Sequence, residues 1–331
     1  MSHNVETMAY AGETPWHNLG VKVEGNLTPA QMQTAAGLDW EAIKVPVFAH
    51  VGKRGTVGYR EKATGEFAIC RDSDLSVLSP SVGKGWEPVS NKEVFETFND
   101  IVTAGNATME TAGSLQDGRI IWAMARMNEE FNINGGDVTK AYMFLSASHK
   151  FGMATRCDFT NVRIVCNNTL NAALSDKSKG ALVIQHRTKF DAARVADFMG
   201  VSHAQMENRK AQALALSAAK AEADDLKMFA AMLFPLTSKS NVREKELSRN
   251  AEFFLALNDD ATQPGIEFAR GSWWQAFNTV TFMTDHVLSG SDDVRMYNSW
   301  LGTTRTLKLN ALNKALEFAG ASADIAEKIA A

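Results

Sequence analysis

The sequence has little cysteine and proline and no long apolar run. Three cysteines, seven prolines and 23 glycines in 331 residues are too few for a disulfide scaffold, a proline-rich chain or a collagen-like chain. The longest apolar stretches, such as residues 228–234, fall far short of the roughly 18–20 residues that a membrane span needs. The N-terminal residues lack the basic region and apolar stretch of an export signal. We therefore expect a cytoplasmic protein with no membrane partner.

The motifs of common enzyme active sites are also missing. There is no Walker A loop, no GxGxxG loop after a strand, no GxSxG turn, no HExxH pair and no deaminase signature. Cys70, Cys157 and Cys166 form no CxxC pair, so we expect buried free thiols rather than a structural zinc site. A cysteine nucleophile would need a partner base, and the sequence identifies none. We expect no catalysis, no cofactor and no metal, and a nuclease or transferase is the least favoured hypothesis.

What the sequence does contain is typical of a globular chain, with 45% apolar and 22% charged residues. The clearest local signal lies in residues 108–127, where two apolar arms flank Asp117-Gly118 and predict a β-hairpin. Its second arm is apolar on both faces, which predicts a central strand. After residue 190 the sequence changes to alanine-rich helical periodicity. We predict an α+β fold, with an antiparallel β-sheet core and short helices over residues 1–188, followed by an α-helical region over residues 189–331.

Turn and capping signals predict further elements. Thr28 and Pro29 predict the start of a short helix that ends at Gly37. Asn91 is interpreted as the cap of a helix that ends at Gly105. The other predicted elements are a strand at 41–51, a tight turn at 63–65, strands at 138–146, 154–166 and 181–186, a short helix at 167–174, and helices within 191–234, 246–257, 272–288 and 300–319.

Two features of the C-terminal region are explained by core packing or by exposure to solvent. Trp273, Trp274 and Phe277 recur at helical spacing, which favours core packing over base stacking. Arg305 and Lys308 lie three residues apart near the start of the last long helix, and we interpret both as solvated. Neither feature therefore predicts a site.

Charge is distributed unevenly along the chain. The whole chain carries −4, but residues 140–210 hold eleven Lys and Arg against five Asp and Glu. This stretch, the basic segment, therefore carries +6 and the remainder of the chain carries −10. Such an asymmetry favours a surface that faces a polyanion. The alternative is a solvated face that happens to be basic.

The basic segment also contains an asparagine cluster just after a predicted strand. Helix N-termini bind anions, but asparagine side chains also cap helices, so both interpretations remain open. Arg156 and Arg163 are an odd number of positions apart, so an unbroken strand places them on opposite faces unless a bulge realigns them. His149 either contacts a phosphate or base or caps its loop. The candidate nucleic-acid-binding residues are Lys150, Arg156, Arg163, Asn167, Asn168, Lys177, Lys179, Arg187 and Lys189.

Six blocks of the sequence resemble one family. They are PWHNLG, WEPVSNKEVFETF, ETAGSLQDGRIIWAMARM, RIVCNNTLNAAL, GSWWQAFNTVTFMTDH and RMYNSWLGTTRTLKLNALNKALEFA. Together they are similar to the phage/plasmid-like family of unknown function (domain of unknown function 932), from about Pro15 to Ala319. The glycine-rich loop that the family has after the histidine corresponding to His149 is changed here to Lys150-Phe151-Gly152. The resemblance implies an origin in phages, prophages or plasmids, and it supplies no established activity.

Two functions of different classes follow. A hairpin and strands followed by a helix, with a basic segment, are similar to the core of the single-strand annealing proteins of phage recombination. We therefore expect a single-stranded DNA-binding or annealing protein of recombination or replication, with a basic groove for phosphates. The helical region would support a homo-oligomeric ring or filament. The alternative is a phage protein that binds a host protein or forms a structural assembly, which the acidic remainder and the aromatic C-terminal helices favour.

Overall fold

The structure of the chain is a computed structural model. It describes residues 5–12, 19–52, 60–150, 154–163, 168–169, 182–184, 192–236, 247–260, 262–288, 295, 298–299 and 302–321. The strands are β1 (Val5–Ala11), β2 (Val21–Val23), β3 (Ala42–Val51), β4 (Arg60–Arg71), β5 (Val77–Val82), β6 (Thr108–Leu115), β7 (Ile120–Ile133), β8 (Asp137–Ser148), β9 (Thr155–Arg163), β10 (Asn168–Thr169) and β11 (Leu182–Ile184). The helices are α1 (Pro29–Ala35), α2 (Asn91–Ala104), α3 (Ala192–Ala218), α4 (Ala223–Leu233), α5 (Arg249–Asp259), α6 (Trp273–Phe282) and α7 (Thr303–Phe318). A 3-10 turn at Ile266–Phe268 precedes α6, and a π-helical turn at Met283–Val287 extends it.

The strands form two sheets. In the larger sheet the order is β10-β9-β8-β7-β6-β1-β2, and β11 also pairs with β9. The pairs β1–β6, β6–β7, β9–β10 and β9–β11 are antiparallel, and β1–β2 is parallel. The smaller sheet is antiparallel, with the order β3-β4-β5. Helices α1 and α2 lie between strands, and α3 to α7 follow the last strand, so the predicted α+β fold is confirmed.

The hairpin of β6 and β7 confirms the clearest sequence signal. Ile120 pairs with Leu115, and Gln116, Asp117 and Gly118 all have positive φ between the two strands. Glycine and Asp accept such conformations more readily than most residues, which is why they mark tight hairpin turns. Strand β7 lies between β6 and β8, and its first six residues, 120–125, are all buried, so the prediction of a central strand is also confirmed.

Helix α1 begins where the capping signals predicted. The side chain of Thr28 accepts a hydrogen bond from Gln31 N, and the side chain of Gln31 accepts one from Thr28 N. This reciprocal capping box satisfies two backbone donors at the helix start. Pro29 occupies the first turn, where its missing N–H costs nothing.

Helix α2 is capped one residue earlier than predicted. Ser90, not Asn91, accepts a hydrogen bond from Glu93 N. Both residue types are good caps, so sequence alone could not separate them. Asn91 is instead completely buried and donates from Nδ2 to Trp40 O at 2.8 Å. The helix ends at Gly105, as predicted.

The predicted turn at residues 63–65 is wrong. Strand β4 runs through this stretch, and its register with β3 shifts between Pro46 and Phe48. Thr64 Oγ1 donates to Val47 O at 2.8 Å, and Gly65 takes a φ of +84°. Gly65 therefore lies in a β-bulge. Like a tight turn, a bulge favours a glycine with positive φ, but it keeps the two strands paired.

Two predicted helices are corrected as well. Residues Asn168–Thr169 form strand β10 rather than the start of a helix, because they pair with β9; the rest of 167–174 lies outside the described residues. The long helical stretch 191–234 is interrupted between α3 and α4. There Ala221 N donates to Gly271 O and Trp273 N donates to Ala219 O. The backbone between α3 and α4 therefore pairs with the backbone at the start of α6.

The chain divides into two compact units, each built from several segments. Unit 1 comprises Met1–Arg126, Met143–Asp158 and Ala181–Ala196, and unit 2 comprises Met127–Tyr142, Phe159–Gly180 and Asp197–Ala331. The division at residue 188 that the sequence suggested stays a prediction.

Each unit has a buried apolar cluster of its own. In unit 1, α1 and α2 contribute Met32, Phe95, Phe98 and Ile101, which are at most 1% exposed. In unit 2, the ring of Trp273 stacks on that of Phe318, with 5.0 Å between the ring centroids. The buried Trp273, Trp274 and Phe277 confirm that the aromatic stripe is core.

Candidate nucleic-acid interface

Short strands of the basic segment pair with β9. In unit 1, Val183 of β11 lies opposite Arg156; in unit 2, Asn168 of β10 lies opposite Arg163. Two of the predicted site residues, Arg163 and Asn168, are thus brought to facing positions of one antiparallel pair. The stretch that contains Lys177 and Lys179 leads from β10 to β11.

The two arginines of β9 belong to different units. Strand β9 runs from Thr155 to Arg163, with Arg156 in unit 1 and Arg163 in unit 2. Its pairings with β11 and β10 cover residues 155–157 and 162–163. The expectation that an unbroken strand places the two side chains on opposite faces stays a prediction.

Arg156 lies in a mixed electrostatic environment. Its side chain is half-buried, and its Nε finds no hydrogen-bond acceptor among the residues that the structure describes. Asp158, two positions further along β9, is buried and shares this face, so it reduces the local positive charge. Arg156 can donate to an anion, but it does so beside a carboxylate.

Cys157 lies on the other face of β9 and is a buried free thiol, as is Cys70. Burial raises the pKa of the Cys157 thiol well above its ordinary value, and the negative charge of Asp158 raises it further. A thiol with a raised pKa is a poor nucleophile. The expectation of buried free thiols is therefore confirmed for these two residues, and Cys166 lies outside the described residues.

Lys150 is positioned by the tip of the β6–β7 hairpin rather than by β9. Its backbone N donates to Ser148 Oγ at 3.1 Å, and its Nζ donates to Gln116 Oε1 at 3.2 Å. The side chain is half-buried. Its charge is not matched by a salt bridge within the described ranges, so the ammonium group can still attract an anion.

His149 is a structural residue. It is completely buried, its Nε2 lies 2.9 Å from Asn91 Oδ1, and its ring lies 5.2 Å from that of Trp40. Its backbone N donates to Arg119 O at 2.9 Å. A side chain with no exposed surface cannot contact a phosphate or base. Of the two alternatives for His149, the structure favours local packing.

Arg71 is a buried cation that the sequence analysis missed. Its two terminal nitrogens bind the two carboxylate oxygens of Glu6 at 2.7 and 2.8 Å, and its Cζ lies 4.5 Å from the Trp40 ring centroid. Burial lowers the pKa of Arg71, but hydrogen bonding and charge from Glu6, with charge from Asp74 and Asp117, outweigh burial and raise it. Both terminal nitrogens of this cation are therefore engaged by a carboxylate of the protein itself.

Lys308 was expected to be solvated, and that prediction is wrong. Its side chain is 0% exposed, and Nζ donates to Asp285 Oδ1 and Ser299 Oγ, each at 2.5 Å. Ser299 Oγ in turn donates to Asp285 Oδ1 at 2.8 Å. Asp285 lies on the π-helical turn, three residues after the end of α6. No periodicity signal distinguishes a lysine that meets a buried carboxylate from one that meets water.

The remaining candidate residues cannot be placed. Asn167, Lys177, Lys179, Arg187 and Lys189 lie outside the described residues. Arg163 and Asn168 are described by their strand positions alone. Their roles stay predictions from the sequence.

Comparison with known proteins identifies the family. A family model described as Domain of unknown function (DUF932) matches residues 79–316, more than two thirds of the chain. The chain belongs to the DUF932 family. No curated protein and no solved structure matches it.

The DUF932 match begins in β5 and ends in α7. It includes the central hairpin, the basic segment and the buried Lys308. Strands β1 to β4 precede it. The described part of this DUF932 protein contains no group of three or more His, Cys, Asp or Glu side chains that could hold a metal ion. None of its helices, over the same residues, is long and apolar enough to cross a membrane.

Proposed function

We propose that this DUF932 protein binds single-stranded nucleic acid through its basic segment and acts without catalysis. The observation that carries the proposal is the pairing of β10 and β11 with β9, because it fixes both ends of the lysine-bearing stretch 170–181 to paired strands. A basic stretch held at its ends can follow a phosphate backbone while losing less conformational freedom than a free tail.

The electrostatics support the same function. The basic segment carries +6 within a chain that carries −4 in total. Two cations of this segment, Lys150 and Arg156, are half-buried in unit 1. Contacts to phosphates release counterions, so binding would weaken steeply as salt rises.

The proposal also places the protein in a biological setting. As the resemblance implies, it would serve a phage or plasmid in the cytoplasm of its host, in recombination or replication. Annealing of two strands would follow from assembly into a homo-oligomeric ring or filament. Light scattering with and without an oligonucleotide tests this, and a monomer under both conditions would contradict it.

The decisive experiment measures fluorescence anisotropy of a labelled single-stranded oligonucleotide over a salt series, with duplex as the control ligand. The test variant carries Lys177→Glu, Lys179→Glu, Arg187→Glu and Lys189→Glu. We expect its affinity to fall steeply and its salt slope to shrink by about 3, given about 0.7 per lost single-strand phosphate contact.

A matched control variant changes net charge equally outside the basic segment. It carries Lys84→Glu, Lys92→Glu, Lys220→Glu and Lys227→Glu, four exposed lysines. Equal loss in both variants would show that only net charge matters and would remove the site assignment. If the wild-type protein does not bind at low salt, the proposed function is wrong, and binding to a host protein becomes the leading hypothesis.

A further inference from the structure

Strands β3 and β4 continue beyond the third strand of their sheet. Strand β5 pairs with β4 only between Phe67 and Cys70, whereas β3 pairs with β4 as far as Val51 and Arg60. Residues 48–51 and 60–63 therefore form a two-stranded stretch, which we call the ribbon. All of its residues except the half-buried Ala49 are exposed.

The register of the ribbon separates its residues into two faces. Val51 pairs with Arg60 and Ala49 pairs with Lys62, so these four residues share one face. His50, Glu61, Phe48 and Ala63 share the other face. The first face thus carries two cations, spaced about 7 Å apart along β4, with small apolar residues opposite them and no acid.

Both cations of this face are exposed. Neither Arg60 nor Lys62 forms a salt bridge with any residue that the structure describes. Other exposed lysines do find acids: Lys92 lies 3.8 Å from Glu96, and Lys220 lies 2.8 Å from Glu222.

The surrounding sequence is also basic. Residues 48–63 contain four Lys and Arg and one acid, a net charge of +3 in a chain that is acidic overall. The β-bulge at Gly65 lies at the base of the ribbon. Bulges bend and twist a strand, which gives the ribbon a direction different from that of the sheet.

We propose that the ribbon binds double-stranded DNA by entering a groove. Two paired strands are about 4.8 Å apart, and the major groove of B-DNA, about 12 Å wide, admits a two-stranded ribbon. Arg60 and Lys62 then contact phosphates at the groove edge, and the small side chains of Ala49 and Val51 allow close approach. A second copy of the chain is a poorer occupant, because two copies of this face repel each other.

This inference does not rest on the single-strand proposal. The ribbon shares no residue with the basic segment and precedes the DUF932 match. The variant with four reversed charges in the basic segment keeps the ribbon intact, so the two proposals can fail separately. A protein with both surfaces would hold a duplex and a single strand at once.

The test measures binding of the full chain to a short fluorescent DNA duplex over a salt series. The variant Arg60→Gln with Lys62→Gln removes both charges, and Arg60→Lys with Lys62→Arg keeps them. We expect the first to bind about tenfold more weakly or worse, with a salt slope smaller by about 2, and the second to bind within about twofold of wild type. Lys84→Gln with Lys92→Gln, exposed lysines of the same unit, is the matched control and should leave duplex binding unchanged.

A second measurement uses the unchanged protein, so that a folding defect cannot obscure the result. Acetylation of Lys62 by an activated acetate ester is followed by mass spectrometry, with Lys92 as the internal reference. We expect duplex to slow acetylation of Lys62 and to leave Lys92 unaffected. Equal rates with and without duplex would overturn the proposal, as would wild-type duplex affinity in the variant without both charges. Protection of Lys62 that depends on protein concentration alone would assign the ribbon to contact between copies instead.

Discussion

The two units of this molecule bury a positive charge in different ways. In unit 1, Arg71 meets both oxygens of Glu6, lies over the Trp40 ring and has Asp74 3.6 Å away. In unit 2, Lys308 meets one oxygen of Asp285 and one hydroxyl, and neither charged side chain is more than 1% exposed. Over the described residues, Arg71 meets two carboxylates and an aromatic ring, whereas Lys308 meets the carboxylate of Asp285 in the interior.

This difference predicts how much stability each unit loses when the carboxylate partner of its buried cation is removed. A planar guanidinium shares its charge among several acceptors, so it keeps some of them when one is lost. Removing the carboxylate partner of a buried ammonium group is costly, because the remaining charge is still held away from water. We therefore expect unit 2 to be the more sensitive to loss of a single carboxylate.

The largest effect should follow from Asp285→Asn. Removing one partner of a buried ion pair costs about 3–5 kcal/mol, because the other charge remains buried. The free energy of unfolding from urea denaturation, followed by circular dichroism, measures the change. The double variant Asp285→Leu with Lys308→Met removes both charges and should lose much less stability. A cost for Asp285→Asn as small as that of an exposed pair would contradict this picture of unit 2.

A smaller loss is expected from Glu6→Gln in unit 1. It weakens the paired hydrogen bonds to Arg71, but Trp40 and Asp74 remain in place. Hydrogen bonds to charged groups contribute about 1.5–3 kcal/mol, so the loss should fall in that range. The control Glu87→Gln affects the exposed partner of Lys44 and should cost at most about 1 kcal/mol. If Glu6→Gln were as costly as Asp285→Asn, the contrast between the units would fail.

Two glycines sharpen the comparison further. Gly118 in unit 1 and Gly135 in unit 2 have φ of +77° and +80°, so alanine strains the backbone equally at both. A Cβ at Gly118 would clash with Arg71 Nη2, whereas one at Gly135 meets nothing within 4 Å. Gly118→Ala should therefore cost about 1–3 kcal/mol more than Gly135→Ala in thermal or urea unfolding. Equal costs would show that Arg71 moves aside easily.

The smallest effect concerns pH and Asp74. The backbone N–H of Ser76, which donates to Asp74 Oδ1 at 2.9 Å, and the charge of Arg71 lower the pKa of this exposed carboxyl below its ordinary value. A lowered pKa in the folded state contributes stability above the unfolded-state pKa, and this contribution disappears as pH falls through the folded-state pKa. The difference in unfolding free energy between wild type and Asp74→Asn should thus be present at neutral pH and vanish in strong acid. A difference that grows on acidification would contradict it.

The elements predicted correctly are those with local causes. The capping box of Thr28 and Gln31 and the turn at Asp117-Gly118 act within a few residues, so the sequence shows them directly. The mistakes share a different cause. Gly65 signals positive φ without saying whether the strands end or bulge there, and Asn168 pairs with a strand where its type also suits a helix cap.

The candidate site divides in the same way. Its net charge was visible in the sequence, but the burial of His149 required Trp40 and Asn91 from distant parts of the chain. The ribbon was missed because exposure on both faces depends on where β5 stops pairing with β4.

The sequence by itself determined the α+β class, the central hairpin, the start of α1 and the uneven charge, because propensity, capping and charge are properties of neighbouring residues. Only the tertiary structure decided which charged groups are buried. Arg71 and Lys308 are as polar as any surface residue by type, and each is buried because a carboxylate from a remote segment reaches it. The free energy of burying a charge depends on its partners, and the partners are brought together by the fold.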